Sequence, residues 1–105
     1  MTALDKLIEA VEAGAVSDWA FGSGYPRTVL GDKWEAGMNA YCGSLDAADT
    51  LMTILPEGAK WMRMSDGAFI VWLPGTPISA SADATGNISR DLFLAILRAY
   101  RSVQA

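Results

Sequence analysis

Apolar residues recur at helical spacing in three segments of the chain, and the flanking residues indicate where each helix begins and ends. The first segment covers residues 3–13, where Thr2 is placed to cap the N-terminus and Gly14 to end the helix. The second covers residues 45–55, and the third begins near residue 88 with a long apolar stripe. These patterns predict three amphipathic helices.

Residues 15–32 show neither helical nor strand periodicity. Glycine and proline interrupt this segment at four positions: Gly22, Gly24, Pro26 and Gly31. Such residues favour turns, so the segment is predicted to be an irregular loop. A short helix, weakened by Gly37, is expected over residues 33–41.

The sequence Asp66-Gly67 lies between two strand-like runs, which is the usual signature of a β-hairpin with a two-residue turn. With these two residues as the turn, each residue of one strand has a defined partner on the other. The predicted cross-strand pairs are Trp61 with Trp72, Met62 with Val71, Arg63 with Ile70 and Met64 with Phe69.

This register gives the hairpin two apolar faces, because cross-strand partners share a face. One face carries Trp61, Arg63, Ile70 and Trp72, and the other carries Met62, Met64, Phe69, Val71 and Leu73. Alternation from Ile78 to Asp83 permits a third, weaker edge strand. The sequence therefore predicts one α+β domain over residues 1–105, with a small antiparallel sheet built on the 60–73 hairpin and helices packed on both faces, as in an α/β/α sandwich.

Composition restricts the chemistry that this chain can perform. The 105 residues are 51% hydrophobic and 19% charged, which is enough apolar material for one domain without metal or disulfide staples. The chain contains no histidine, so a Ser-His-Asp or Cys-His catalytic system cannot form. Its single cysteine, Cys42, cannot form an internal disulfide, and a small buried hydrophobic role is expected for it. We therefore predict a protein that is not an enzyme and has no cofactor or metal.

The charges are distributed unevenly along the chain. Residues 1–57 contain nine acids and three bases, a balance of −6, whereas residues 58–105 contain three acids and five bases, a balance of +2. An acidic face repels the phosphates of nucleic acids and attracts basic protein surfaces. The alternative interpretation is that the acids only keep the protein soluble.

Four acids on the predicted helices are candidate partner-binding residues: Glu9, Glu12, Asp46 and Asp49. Helical periodicity places all four at exposed positions. Asp46 and Asp49 are three residues apart and could instead share a cation such as Mg²⁺. Acids in the first turn of a helix also complement its dipole, which is the more ordinary role.

Trp61, Arg63 and Trp72 on one predicted hairpin face are further candidate partner-binding residues. They could stack on a partner or on nucleic-acid bases, although aromatic cross-strand pairs are more often part of the core. Arg90, Arg98 and Arg101 on the last helix form a small basic group that is expected to be an ordinary solvated helix face.

The remaining aromatic residues give this small domain a surplus of apolar side chains outside its clearest elements: Trp19, Phe21, Tyr25, Trp34 and Tyr41. Some apolar surface should therefore stay exposed. Exposed apolar patches commonly mark contact sites. This surplus predicts a homodimer or an aromatic docking surface.

Three short motifs occur together: Tyr41-Cys42-Gly43-Ser44-Leu45-Asp46-Ala47-Ala48, then Leu55-Pro56-Glu57-Gly58 with Trp61, and finally Leu94-Ala95-Ile96-Leu97-Arg98-Ala99. Over about residues 41–101 the chain thereby resembles the small bacteriophage proteins grouped as the phage ABA sandwich domain. The resemblance implies helices on both sides of a sheet and an origin in a phage or prophage. It implies no activity, catalytic residue or cofactor.

The leading hypothesis is a non-enzymatic phage protein that binds a host bacterial protein with a basic surface, such as an inhibitor of a CRISPR effector or another host-defence component. A virion structural or assembly accessory and a small carboxylate-dependent enzyme are the alternatives. Acids interrupt the N-terminal apolar positions, and the apolar run 68–74 is too short to cross a bilayer. The expected location is the cytoplasm of the bacterial host, with no membrane role.

Overall fold

A computed structural model describes residues 2–16, 21–22, 24–75 and 79–104. Its α-helices are α1 (Ala3–Ala13), α2 (Tyr25–Leu30), α3 (Trp34–Cys42), α4 (Leu45–Thr50) and α5 (Ile88–Gln104), with 3₁₀ turns at Gly31–Lys33 and Leu51–Ile54. Its strands are β1 (Lys60–Arg63), β2 (Phe69–Trp72) and β3 (Ser79–Ala82), which form one antiparallel sheet in the order β1-β2-β3. The predicted α+β fold is confirmed.

Local capping determines the bounds of α1, which are those predicted. The Thr2 hydroxyl accepts a hydrogen bond from the Asp5 backbone N–H at 3.1 Å, and the Asp5 carboxylate accepts one from the Thr2 backbone N–H at 3.4 Å. This reciprocal capping box satisfies two N–H groups that the helix itself cannot pair. Gly14 ends the helix in the left-handed conformation, at a φ of 65°.

The prediction of an irregular loop over residues 15–32 is wrong for its second half, which contains α2 and part of a 3₁₀ turn. Pro26 stands in the first turn of α2, where its fixed φ suits a helix and its missing N–H costs nothing. Pro26 and Leu30 are both buried. Packing of these two side chains thus stabilises a helix too short to show a periodic pattern. Trp19 lies outside the described residues.

The predicted helices over residues 33–41 and 45–55 are both present. The first is α3. The second begins as α4 behind the cap residue Ser44, whose hydroxyl accepts from the Ala47 N–H at 3.2 Å, and continues as the 3₁₀ turn to Ile54. Cys42, at the end of α3, is exposed, which corrects the expectation of a buried thiol.

The hairpin between β1 and β2 is present, but its predicted register is wrong by one residue. The observed cross-strand pairs are Lys60 with Trp72, Trp61 with Val71, Met62 with Ile70 and Arg63 with Phe69. The reason is the loop, in which the Gly67 N–H donates to the Met64 carbonyl at 2.9 Å and the Met64 N–H donates to the Ala68 carbonyl at 2.7 Å.

These bonds define a three-residue loop, Ser65-Asp66-Gly67, in place of the predicted two-residue turn. A two-residue type I′ turn needs a positive φ at both central residues, whereas only Gly67, at 92°, has one here. Asp66 instead bonds locally, since its carboxylate accepts from the Ala68 N–H at 2.9 Å.

The shift of register changes which residues share a face of the sheet. Phe69, Val71 and Ala82 are buried on the face that packs against α5, whereas Met62 and Trp72 are exposed on the opposite face. In the described part of the chain, the contacts between helices and sheet therefore involve the face with Phe69 and Val71, whereas the sequence predicted helices on both faces. The third strand is confirmed over Ser79–Ala82; Ile78 lies outside the described residues.

Helix α5 is the centre of the core. Its residues from Leu92 to Leu97 are all buried, and Phe93 packs near Phe21, with ring centres 6.3 Å apart. Helices α1, α3 and α4 pack around α5 on the sides that the sheet leaves free. Among the described residues, the sheet is thus attached to the helices through one face, and Met62 and Trp72 are exposed on the other.

Candidate functional site

The sheet carries apolar side chains on the face opposite α5. We define this outer sheet face as Met62, Ile70 and Trp72. Met62 is 47% and Trp72 39% exposed, and Ile70 is half-buried beside them. A sheet with one solvated face normally carries polar residues there. Contiguous apolar side chains on such a face are typical of a protein-binding surface.

Met64 extends this apolar surface into the hairpin loop. It follows β1 and is 41% exposed. Lys60, at the other end of β1, is also exposed on the outer side, since it is paired with Trp72. The outer sheet face is therefore bordered along β1 by one base and one further methionine.

Trp61 and Arg63 lie on the covered side of the sheet, opposite Trp72. The Trp61 indole N–H donates to the Asp49 carboxylate at 2.8 Å, and the Trp61 and Phe69 ring centres are 5.6 Å apart. The Arg63 guanidinium is 6.0 Å from the Phe69 ring centre, and Arg63 remains exposed. The prediction that Trp61, Arg63 and Trp72 share one face is therefore wrong for Trp72.

The four candidate acids differ in their surroundings. Glu12 on α1 binds Arg98, with its carboxylate 2.6 Å from Nη2, and Asp49 on α4 holds the Trp61 indole. Glu9 and Asp46 are exposed. Two of the four acids are thus structural partners as well as surface charges, a role that helical periodicity alone could not reveal.

Arg90 and Arg98 of α5 are held by contacts, which corrects the expectation of a solvated face for these two residues, whereas Arg101 is exposed as expected. Arg98 donates to the Ser81 carbonyl at 2.7 Å in addition to its bond with Glu12. Arg90 donates to the Tyr41 carbonyl at 3.1 Å and lies 4.0 Å from the centre of the Tyr41 ring. Arg101 is 3.6 Å from the Asp5 carboxylate. These residues connect α5 to its neighbours.

A cavity of about 400 Å³ lies between the end of α1 and the start of α5. Its charged lining is made of Glu12, Asp83, Arg90, Asp91 and Arg98. Asp91 is buried, and its carboxylate accepts from the Thr85 N–H at 2.9 Å and the Thr85 hydroxyl at 2.5 Å. Both arginines and two of the three acids are therefore committed to bonds within the fold.

Among the described residues, no three or more histidine, cysteine, aspartate or glutamate side chains lie together in a group that could hold a metal ion. Asp46 and Asp49 remain a pair of exposed carboxylates, one of which bonds to Trp61. Within the described part of the chain, no helix is both long and apolar enough to cross a membrane.

A comparison with protein-family models, curated proteins and solved structures finds no match to this chain.

Sequence reasoning missed two of the three residues of the outer sheet face. Met62 and Ile70 were assigned to opposite faces of the hairpin, because the predicted register differed by one residue. A usable signal was present in Ser65, which can join Asp66 and Gly67 in a three-residue loop. Counting three loop residues places Met62, Ile70 and Trp72 on one face.

Proposed function

We propose that this protein is a small protein-binding module of a bacteriophage or prophage, which binds a host bacterial protein in the bacterial cytoplasm and inhibits a host defence system in the manner of an anti-CRISPR protein. The observation that carries the binding role is the outer sheet face, where Met62 and Trp72 are exposed next to Ile70. The phage origin rests on the resemblance to the ABA sandwich proteins.

The expected partner combines an apolar patch with basic groups. Helix α4 borders the sheet, because Asp49 is bonded to Trp61 of β1, and Asp46 is exposed one turn earlier on the same helix. Asp49 lies on the covered side of the sheet, so these carboxylates act on a partner at the outer sheet face through their field and not by direct contact. Charge complementarity at a rim raises the association rate more than the final affinity.

The apolar part of the proposal is tested by Trp72→Ser, with Ile88→Ser as the matched control. Ile88 is 42% exposed and lies at the start of α5, where it lines a surface pocket with Gly43 and Leu45. The wild-type chain is used to capture its partner from a host lysate. The captured protein is then purified, and its binding to the wild type and to each variant is measured. We expect Trp72→Ser to weaken binding at least about tenfold, as for a buried aromatic contact, and Ile88→Ser to leave it unchanged. Equal binding by both variants would contradict the proposal.

The electrostatic part is tested by the double variant Glu9→Lys/Asp46→Lys. Glu12 and Asp49 are left in place, because they hold Arg98 and Trp61. The variant should associate more slowly than the wild type, and the wild-type rate should fall as salt screens the field. If neither the substitutions nor added salt changed the association rate, the acids would only keep the protein soluble.

A further inference from the structure

Strand β1 has an open edge whose backbone groups can be assigned one by one. The Met64 N–H donates to the Ala68 carbonyl, and hydrogen-bonded pairs alternate along an antiparallel ladder. Met62 and Lys60 therefore bond to β2, while the N–H and C=O groups of Trp61 and Arg63 point away from the sheet. In the described part of the chain, no backbone partner for these outward groups is found.

The other edge of the sheet, along β3, is closed by a side chain. By the same alternation the backbone groups of Ser81 point away from β2. The Ser81 carbonyl accepts from the Arg98 guanidinium at 2.7 Å, and Glu12 holds that guanidinium in place. Arg98, held by Glu12, thus caps the outward carbonyl on the β3 edge. Among the described residues, no equivalent side chain caps the edge of β1.

We propose that the open edge of β1 pairs with β1 of a second copy of this chain, in an antiparallel arrangement with Met62 on the two-fold axis. In this register Trp61 of each copy lies opposite Arg63 of the other. These are the residues whose backbone groups point outward, so each of the two pairs exchanges two hydrogen bonds. If Trp61 or Arg63 lay on the two-fold axis instead, that residue would pair with its own copy. The other outward-facing residue would then lie opposite a position outside the second β1, so fewer hydrogen bonds would form between the two strands.

The side chains are self-complementary in the same register. On the covered side of the sheet, the guanidinium of Arg63 comes to lie beside Trp61 of the other copy, whose indole is bonded to Asp49. A cation beside an aromatic ring and a carboxylate is doubly favourable. On the outer side, Met62 meets its own copy, and Lys60 lies opposite Met64.

Lys60 is the residue that could oppose pairing, because charged residues on an edge strand commonly prevent association. In the proposed register Lys60 does not meet another base. Its aliphatic stem can cover Met64 of the second copy while the ammonium group stays in water. The edge charge therefore favours this register over others without preventing the contact.

The proposed dimer goes beyond the proposed function, because it uses the backbone edge of β1 and shares only Met62 with the outer sheet face. It would join two three-stranded sheets into one and place the two outer faces side by side. Trp72 lies on the central strand β2, away from the open edge. Dimer formation and host-protein binding can therefore fail independently in experiments.

The primary test is sedimentation velocity of the full chain over a concentration series up to the millimolar range. We expect a monomer–dimer equilibrium that Arg63→Pro weakens at least tenfold and Trp72→Ser leaves unchanged. Proline at position 63 removes an outward N–H without removing a bond to β2. A wild-type chain that stays monomeric at every concentration would overturn the proposal. This holds even if the edge of β1 is later found to pair with a different protein.

A charge reversal tests the side-chain pairing without proline. Arg63→Glu should weaken the dimer more than the neutral variant Arg63→Gln, because it brings a second carboxylate beside Asp49 of the other copy. Equal dimer affinities of the two variants, both folded by circular dichroism, would overturn the proposed contact.

Cysteine cross-linking maps the register in a Cys42→Ser background. Residues opposite each other in a pair that lacks direct hydrogen bonds have Cα atoms about 4.5 Å apart, within reach of a disulfide. Met62→Cys should therefore form a covalent dimer under mild oxidation. Lys60→Cys is the matched control, since position 60 is also exposed on β1 but lies far from its own copy in this register. Equal cross-linking of the two variants would overturn the register.

Discussion

The indole N–H of Trp61 donates a hydrogen bond to the Asp49 carboxylate at 2.8 Å, which ties β1 to α4 across 12 residues of sequence. The contact determines where the open edge of the sheet lies relative to the acidic helix. It also explains why two residues that sequence analysis treated as separate candidates, one aromatic and one acidic, belong to one structural feature.

Trp61→Phe should lower the free energy of unfolding by at least about 0.5–1.5 kcal/mol, since one hydrogen bond is lost together with the part of the indole that a phenyl ring does not replace. Asp49→Asn is the control, because the amide oxygen can still accept from an indole. Urea unfolding of Trp61→Phe, Asp49→Ala and the double variant gives the coupling energy. Additive effects of the two changes would show that the bond contributes nothing to stability.

Tyr41→Phe should destabilise the fold by about 1–3 kcal/mol, because it leaves a buried donor without a partner. The Tyr41 hydroxyl accepts from the Val16 backbone N–H at 3.1 Å. The ring that contacts Arg90 is retained, so packing is little changed. Tyr100→Phe, at a half-buried position on α5, is the control and should cost clearly less in the same thermal unfolding measurement.

Gly67→Ala should destabilise the hairpin by about 1–3 kcal/mol, because Gly67 has a φ of 92° that side chains rarely adopt. A Cβ atom there would also come within 2.9 Å of the Ala84 Cβ. Gly75→Ala is the matched control, since Gly75 has a φ of 72° and open space around it. We expect Gly75→Ala to cost less, and Ala84→Gly to recover part of the loss at position 67. Equal costs at the two glycines would exclude the Ala84 contact as a cause.

Asp5→Asn should change how stability depends on pH. The hydrogen bonds from the Thr2 side chain and backbone, together with the nearby Arg101, hold the pKa of Asp5 below its usual value of 3.8. Because this pKa is lowered in the folded state, the ionised Asp5 carboxylate stabilises the fold above pH 3.8. This stabilisation is lost as the pH falls through the pKa of the folded state.

The stability difference between wild type and Asp5→Asn should therefore be constant near neutral pH and shrink on acidification below 3.8. Denaturant unfolding at a series of pH values measures it. Asp66→Asn is a useful comparison, because Asp66 is exposed and also accepts from one backbone N–H, in the hairpin loop. A difference that does not vary with pH would refute the capping-box explanation.

Helices α1, α4 and α5 could be predicted because their determinants are local. The reciprocal bonds of Thr2 and Asp5, the left-handed Gly14 and the hydroxyl of Ser44 act within one helical turn of their own positions. The apolar stripe of α5 reports its burial directly, since a helix buries the residues that share one side. For these elements, the sequence pattern and the final packing agree.

Tertiary packing decided what local signals left open. Helix α2 is too short for periodicity to reveal it and depends on burial of Pro26 and Leu30. The α5 arginines look like solvated charges until the fold brings Glu12 to Arg98 and Tyr41 to Arg90, across 86 and 49 residues of sequence. Contacts over such separations leave no periodic trace.

The candidate surface depended on a single residue of register. Asp66-Gly67 correctly predicted a hairpin by itself, because the turn residues and their flanking strands are adjacent in sequence. Whether Ser65 joins the loop decides which residues of β1 share the covered face with Phe69 and Val71. Trp61 takes this place, since it packs on Phe69 and bonds to Asp49, and Met62 therefore lies with Trp72 on the exposed face. Because side chains alternate along a strand, a shift of one residue exchanges the covered and exposed sides, and only the assembled core selects between them.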